Sequence, residues 1–149
     1  MNNELHIEWT EDLRTGIEEI DEQNKKIIDN VNALYQACKE SKCKDEIIKI
    51  VEDLDFYTTV HFEIEEKYMK TYDYSKYLEH KKAHTFFKDT YEQIRYHYHY
   101  VEGNPPYKYR HVYLYALHLH QTLVDWLNVH LITFDKEFIN FLKAVNKES

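Results

Sequence analysis

Two glycines, Gly16 and Gly103, and two adjacent prolines, Pro105 and Pro106, are all that 149 residues offer for sharp chain reversal. Short strands joined by hairpins need turn residues roughly every 8–12 positions. A chain this poor in turn formers must run in a few long helices with few connections. The length suits one domain with one sizeable core. Hydrophobic residues at 43% can fill that core, and charged residues at 31% can cover its surface.

The apolar spacing divides the chain accordingly. Residues 1–16 form an arm, and Gly16 is its last flexible point. Ile17, Ile20, Asn24, Ile27, Ile28, Val31, Leu34, Tyr35 and Cys38 then recur at three- and four-residue intervals, one face of a helix. After a polar break at 41–44, a second helix spans about 45–69, with Ile47, Val51, Leu54, Thr58, His61, Glu65 and Tyr68 in one stripe. Ser75 is the expected N-cap of the third helix, whose stripe runs Tyr77, His80, His84, Phe87, Tyr91, Ile94, Tyr98 and Val101. Gly103, Asn104, Pro105 and Pro106 end it. A fourth helix runs from about 109 to 145 through Val112, Ala116, Leu119, Leu123, Trp126, Leu127, His130, Phe134 and Phe138. Short connections between long amphipathic helices predict an all-α fold, an antiparallel up-down-up-down four-helix bundle over about 17–145, within a single domain of 1–149.

Charge excludes some functions. A net charge of −8 disfavours nucleic acid, whose phosphates need clustered Lys and Arg. No run of about 18 apolar residues suggests a membrane span, and residues 1–9 contain no apolar leader. Cys38 and Cys43 make neither a disulfide framework nor a CxxC metal pair, which fits a reducing compartment. A soluble, cytoplasmic protein is expected, and no protein partner is identifiable.

Chemistry enters where polar residues replace apolar ones on the inner stripes. His61 and Glu65 lie four apart on the second helix, His80 and His84 four apart on the third, and the fourth carries His130 and Asp135. Residues four apart share a helical face. Burying so many ionisable groups unpaired would cost several kcal/mol for each charge, and a bound cation removes that cost. Imidazoles with carboxylates suit a pair of iron or manganese ions in a bundle. Six donors are too many for one catalytic zinc, which usually has three protein ligands. His130 and Asp135 are five apart, and on an ideal α-helix they would point about 140° away from each other. Either Asp135 reaches sideways to a second ion, or a π-type turn brings the two together. His118 and His120 stand too far up the fourth helix to join, and His97, His99 and His111 are expected at the surface.

These motifs resemble those of the bacteriohemerythrins. The opening segment reads Trp9-Thr10 through Gly16-Ile17, then Ile20-Asp21-Glu22-Gln23-Asn24-Lys25. The His-Phe-x-x-Glu-Glu-x-x-Met motif is complete as His61-Phe62-Glu63-Ile64-Glu65-Glu66-Lys67-Tyr68-Met69. His80-Lys81-Lys82-Ala83-His84 supplies His-x-x-x-His, and Trp126-Leu127-Asn128-Val129-His130 with Asp135 supplies the last motif. The resemblance implies two irons bridged by Glu65 and Asp135 and by an oxo or hydroxo group. His80, His84 and His130 would hold one iron, and His61 the other, where dioxygen binds. It also implies an apolar oxygen pocket of Ile27, Phe62, Trp126 and Leu131. Asn24 departs from the pattern, because the family has a histidine ligand there. An amide is a weaker ligand than imidazole, so Asn24 either coordinates through oxygen, holds water, or only hydrogen-bonds, and one iron in place of two becomes an alternative. Asp73 and Ser75 stand where family members often have Gly and Pro.

The function implied is dioxygen binding for storage, delivery or sensing, which is not catalysis. The alternative, prompted by Asn24, is a di-iron enzyme acting on oxygen or peroxide, or a redox or nitric oxide sensor.

Overall fold

The computed structural model describes residues 6–103 and 109–148. They form helices α1 (Glu18–Lys39), α2 (Cys43–Phe56), α3 (Phe62–Thr71), α4 (Tyr77–Gly103), α5 (Tyr109–Val129) and α6 (Lys136–Glu148). A π-turn at Tyr57–His61 joins α2 to α3 without a break, and a second at His130–Asp135 joins α5 to α6. Six helices are therefore four rods, and no strand occurs among the described residues. The rod α1 packs against α2 and α5, while α4 packs against α2 and α3, as in a four-helix bundle. None of these helices is long and apolar enough to cross a membrane.

Among the described residues, each rod buries most of the stripe its sequence marks. Ile28, Val31, Leu34, Ile50, Leu54, Phe87, Leu119 and Leu123 form the main core, and Met69, Tyr74, Phe138 and Leu142 form a smaller one. On the second, third and fourth rods the ligand-type residues fall between these two apolar clusters. The arm is pinned at two points. The Asn32 side chain accepts from the backbone of Ile7 at 2.9 Å and donates back to it at 2.7 Å. The Asp21 carboxylate accepts from Thr15 N, Thr15 Oγ1 and Gly16 N at 2.8, 2.9 and 3.1 Å. Gly16 has φ of +86°, a left-handed conformation that glycine adopts without steric cost.

Three local expectations need correction. Ser75 does not cap α4, which starts at Tyr77 after a turn closed by Tyr77 N to Tyr74 O. In that connection Asp73 takes φ of +54°, which a short polar side chain tolerates better than most. Cys38 and Cys43 are joined as a disulfide, their Cα atoms 4.4 Å apart. The tight reversal at 40–42, with Ser41 at φ of +61°, brings the end of α1 onto the start of α2. The spacing alone could not show that closeness. Tyr57 and Met69 are buried on the second rod, although neither was on the predicted stripe, and Tyr68 is only half-buried. Tyr57 lies three residues beyond Leu54 on the same helical face, and the π-turn shifts the register of the residues that follow it.

Both π-turns have local causes or consequences. Within the first, the Thr58 and Thr59 hydroxyls donate to the carbonyls of Leu54 and Asp55 at 2.9 and 2.7 Å. Such back-bonding competes with the α-helical ladder and loosens it. The Phe62 N–H then bonds five residues back, to Tyr57. In the second, the Lys136 N–H reaches back five residues to Leu131.

Candidate metal centre

The second π-turn decides the geometry of the fourth rod. Five residues make about one turn of a π-helix, so His130 and Asp135 come to the same side. The Asp135 Oδ1 lies 3.1 Å from His130 Nε2, and both residues are buried. Of the two ways of using Asp135, the chain takes the π-type turn.

The six ligand-type residues converge. His61, Glu65, His80, His84, His130 and Asp135 are each no more than 2% exposed. Glu65 sits among three imidazoles, its Oε1 at 2.7 Å from His61 Nε2 and 3.8 Å from His84 Nε2, its Oε2 at 3.7 Å from His80 Nε2. Asp135 Oδ1 is also 3.1 Å from His80 Nε2. One donor atom each from Glu65, His80, His84 and His130 lies within 4.8 Å of all the others. Donors bound at about 2 Å to a common ion stand about 3–4 Å apart, so this cluster can hold a metal.

The donor atoms fit a cation on another count. The facing nitrogens and oxygens of all six residues, ten atoms with His80 Nδ1 and His130 Nδ1, are buried without a hydrogen-bond partner among the described residues. They approach closely, yet not with hydrogen-bond geometry. Orphaned buried polar atoms cost about 1–3 kcal/mol each. Ten would match or exceed the roughly 5–15 kcal/mol that holds a whole domain together. A cation satisfies them together.

Protonation favours metal binding by the imidazoles. Burial holds His61 down to about 4, against the partial pull of Asp135 and Asp21. Burial, with repulsion from His130 and His80, holds His84 far below the usual imidazole range. Both rings are neutral near pH 7 and offer a lone pair. Burial and the neighbouring Asp135 push Glu65 well above the usual carboxylate range. Burial pushes Asp135 upward too, but the charges and pairing of His130 and His80 hold it well below its ordinary value.

Two residues outside the predicted set orient the rings. Gln23 Oε1 stands 2.6 Å from His61 Nδ1, and Glu66 Oε2 stands 2.9 Å from His84 Nδ1. Each acceptor takes the Nδ1 proton and leaves Nε2 free for a cation. Both lie inside the motifs quoted above, next to Asn24 and Glu65, but spacing gives them no role. Asn24 is 1% exposed and accepts a 2.8 Å hydrogen bond from the Tyr57 hydroxyl. Burial and the charges of Asp135 and Glu65 keep that hydroxyl protonated.

Of the residues expected to line an oxygen pocket, Ile27, Phe62 and Leu131 are buried and Trp126 is half-buried. Phe62 stacks on His84 at 3.9 Å and Trp126 on His130 at 4.5 Å. His6, His97 and His118 are exposed, and His120 is buried near Tyr35, outside the cluster. The side chains of His99 and His111 lie outside the described residues.

Comparison with known proteins gives consistent matches. The family described as Hemerythrin HHE cation binding domain matches residues 15–142. A protein named Bacteriohemerythrin from Pseudomonas paraeruginosa is 39% identical over 82 residues, 55% of this chain and 53% of that protein. The chain thus aligns with about half the length of that relative. A Bacteriohemerythrin from Clostridium acetobutylicum is 24% identical over 89% of this chain and 98% of its own. A Myohemerythrin from Theromyzon tessulatum is 27% identical over 59% of this chain and 68% of its own.

Proposed function

Because the chain belongs to the hemerythrin family, we propose that its buried centre holds two iron ions and binds dioxygen, for storage, delivery or sensing. His80, His84 and His130 would hold one iron and His61 the other, with the carboxylates of Glu65 and Asp135 available to both. When bound, the reduced iron pair supplies the electrons that make dioxygen a ligand. The protein's own part is to keep the imidazoles neutral, fix which nitrogen faces inward, and keep water out. Gln23 and Glu66 do the second of these. Ile27, Phe62, Trp126 and Leu131 do the third, because a dry pocket slows the proton-assisted loss of reduced oxygen. A single domain in the cytoplasm is part of the same proposal.

The observation that carries this reading is the convergence of six buried ligand-type residues whose facing atoms have no other partner. The test is anaerobic ferrous loading, an iron count, and a visible spectrum through repeated air and argon cycles. Two irons per chain and a charge-transfer band that appears and disappears with oxygen are expected. A band that never reverses would reject reversible binding.

The second reading rests on Asn24, whose oxygen is engaged by Tyr57. With a strong nitrogen donor missing from the His61 iron, the centre would act as a peroxide- or oxygen-consuming enzyme, or as a redox or nitric oxide sensor. Steady peroxide consumption by iron-loaded protein would favour it over carriage.

A further inference from the structure

The donors of the centre are buried, so a cation reaches them only when some part of the bundle opens. Pulling a rod away would expose a whole apolar stripe to water. The arm is held by less. It straddles the seam between α1 and the fourth rod, and α1 anchors it at both ends. Ile7 pairs with Asn32, the Lys25 ammonium sits over the Trp9 ring at 5.1 Å, and Thr15 and Gly16 close on Asp21. Between these anchors, a 3-10 turn at Glu11–Leu13 packs against the π-turn His130–Asp135 and against α6. Leu13 is buried there, and Asp12 Oδ2 takes the Lys136 ammonium at 2.7 Å at the surface. The turn that carries His130 and Asp135 is thus held on its arm side by a leucine and an exposed ion pair.

We propose that residues 7–16 are a strap across this seam, and that its release is the step by which iron enters and leaves the centre. Local opening follows the weakest set of contacts. An exposed ion pair contributes little and is screened by salt, and a three-residue turn has no ladder of its own. Gly16, at φ of +86°, lies at the base of the strap, where the chain can swing without a side chain in the way. Lifting the strap frees the turn that bears two donors and leaves the rods packed.

This inference rests on the iron reading, and one experiment tells the two apart. Wild type, Asp12→Asn, Leu13→Ala and Glu137→Gln are loaded with ferrous iron under argon and the iron is counted. The iron is then drawn into an excess of a coloured ferrous chelator. Glu137→Gln breaks an exposed ion pair outside the arm, with Lys76 at 2.9 Å, and serves as the control. Equal iron in all four is expected. Release should quicken about two- to fivefold in Asp12→Asn and about tenfold or more in Leu13→Ala, while the control matches wild type. In metal-free protein, Leu13→Ala should also speed deuterium exchange at the amides of 130–136 and leave those of 43–56 unchanged. Unchanged release in Asp12→Asn and Leu13→Ala overturns the strap and leaves the iron centre standing. Equal quickening in the control, or unchanged exchange at 130–136, does the same. Wild type that takes up no iron overturns both readings.

Discussion

Each imidazole at the centre has two nitrogens, and what holds the outer one governs what the inner one can do. Glu66 is a carboxylate behind His84, whereas Gln23 is a neutral amide behind His61. The charged acceptor makes its ring the more basic donor. Glu66→Ala should therefore weaken metal binding by about 10- to 100-fold in competition with a chelator. Gln23→Ala should weaken it less. Equal losses would mean the carboxylate charge is not felt at His84 Nε2.

The same rings set the acid response of the metal-free protein. Folded His61 titrates at about 4 and His84 lower still, while unfolded histidine titrates near 6.5. Between about pH 5.5 and 4.5 the unfolded chain carries nearly two protons on these rings that the folded chain refuses. Glu65, pushed upward, works in the opposite sense by holding one proton in the folded state that the unfolded state has lost. A net of about one proton remains, so stability should fall by about 1.4 kcal/mol for each pH unit of acidification across that window. Urea midpoints of chelator-treated protein, measured from pH 5.5 to 4.5, check this. A flat or rising profile toward acid would contradict it.

At the scale of elements, the π-turn at His130–Asp135 is one extra residue taken up by a continuous helix. Deleting the exposed Thr133 leaves histidine and aspartate four apart, an α-helical spacing that keeps both on one face and keeps Phe138 and Leu142 in line with them. That variant should retain metal binding and its helical circular dichroism. Inserting an alanine after Thr133 instead turns α6 through about 100°, carrying Asp135 and Phe138 away from the interior. Iron should then be lost. A deletion variant without iron would show that the π geometry itself, and not the shared face, places Asp135.

At the scale of the whole molecule, a centre with ten unpartnered buried atoms makes folding and metal uptake one problem. Metal present at about a thousand times its dissociation constant stabilises the folded state by about 4 kcal/mol. In a chain of this size that is roughly 10 °C in the thermal midpoint. Differential scanning calorimetry with and without chelator measures it. Identical midpoints would mean that the donors find partners without a cation.

The sequence by itself determined the helices, their inward stripes and the six residues that interrupt them. Those features follow from periodicity within one helix, which short-range spacing records. It also marked the strain at His130 and Asp135, because five residues do not close an α-helical turn. Only the tertiary structure decided how that strain is relieved, that Gln23 backs His61, that Tyr57 holds Asn24, and that Cys38 meets Cys43. The Gln23 and Tyr57 pairs are 38 and 33 residues apart in the chain, and the helices that bring them together leave no local pattern at either residue. Tyr57 follows Leu54 by three residues and Thr58 follows it by four, and spacing admits either to the stripe while the structure buries both.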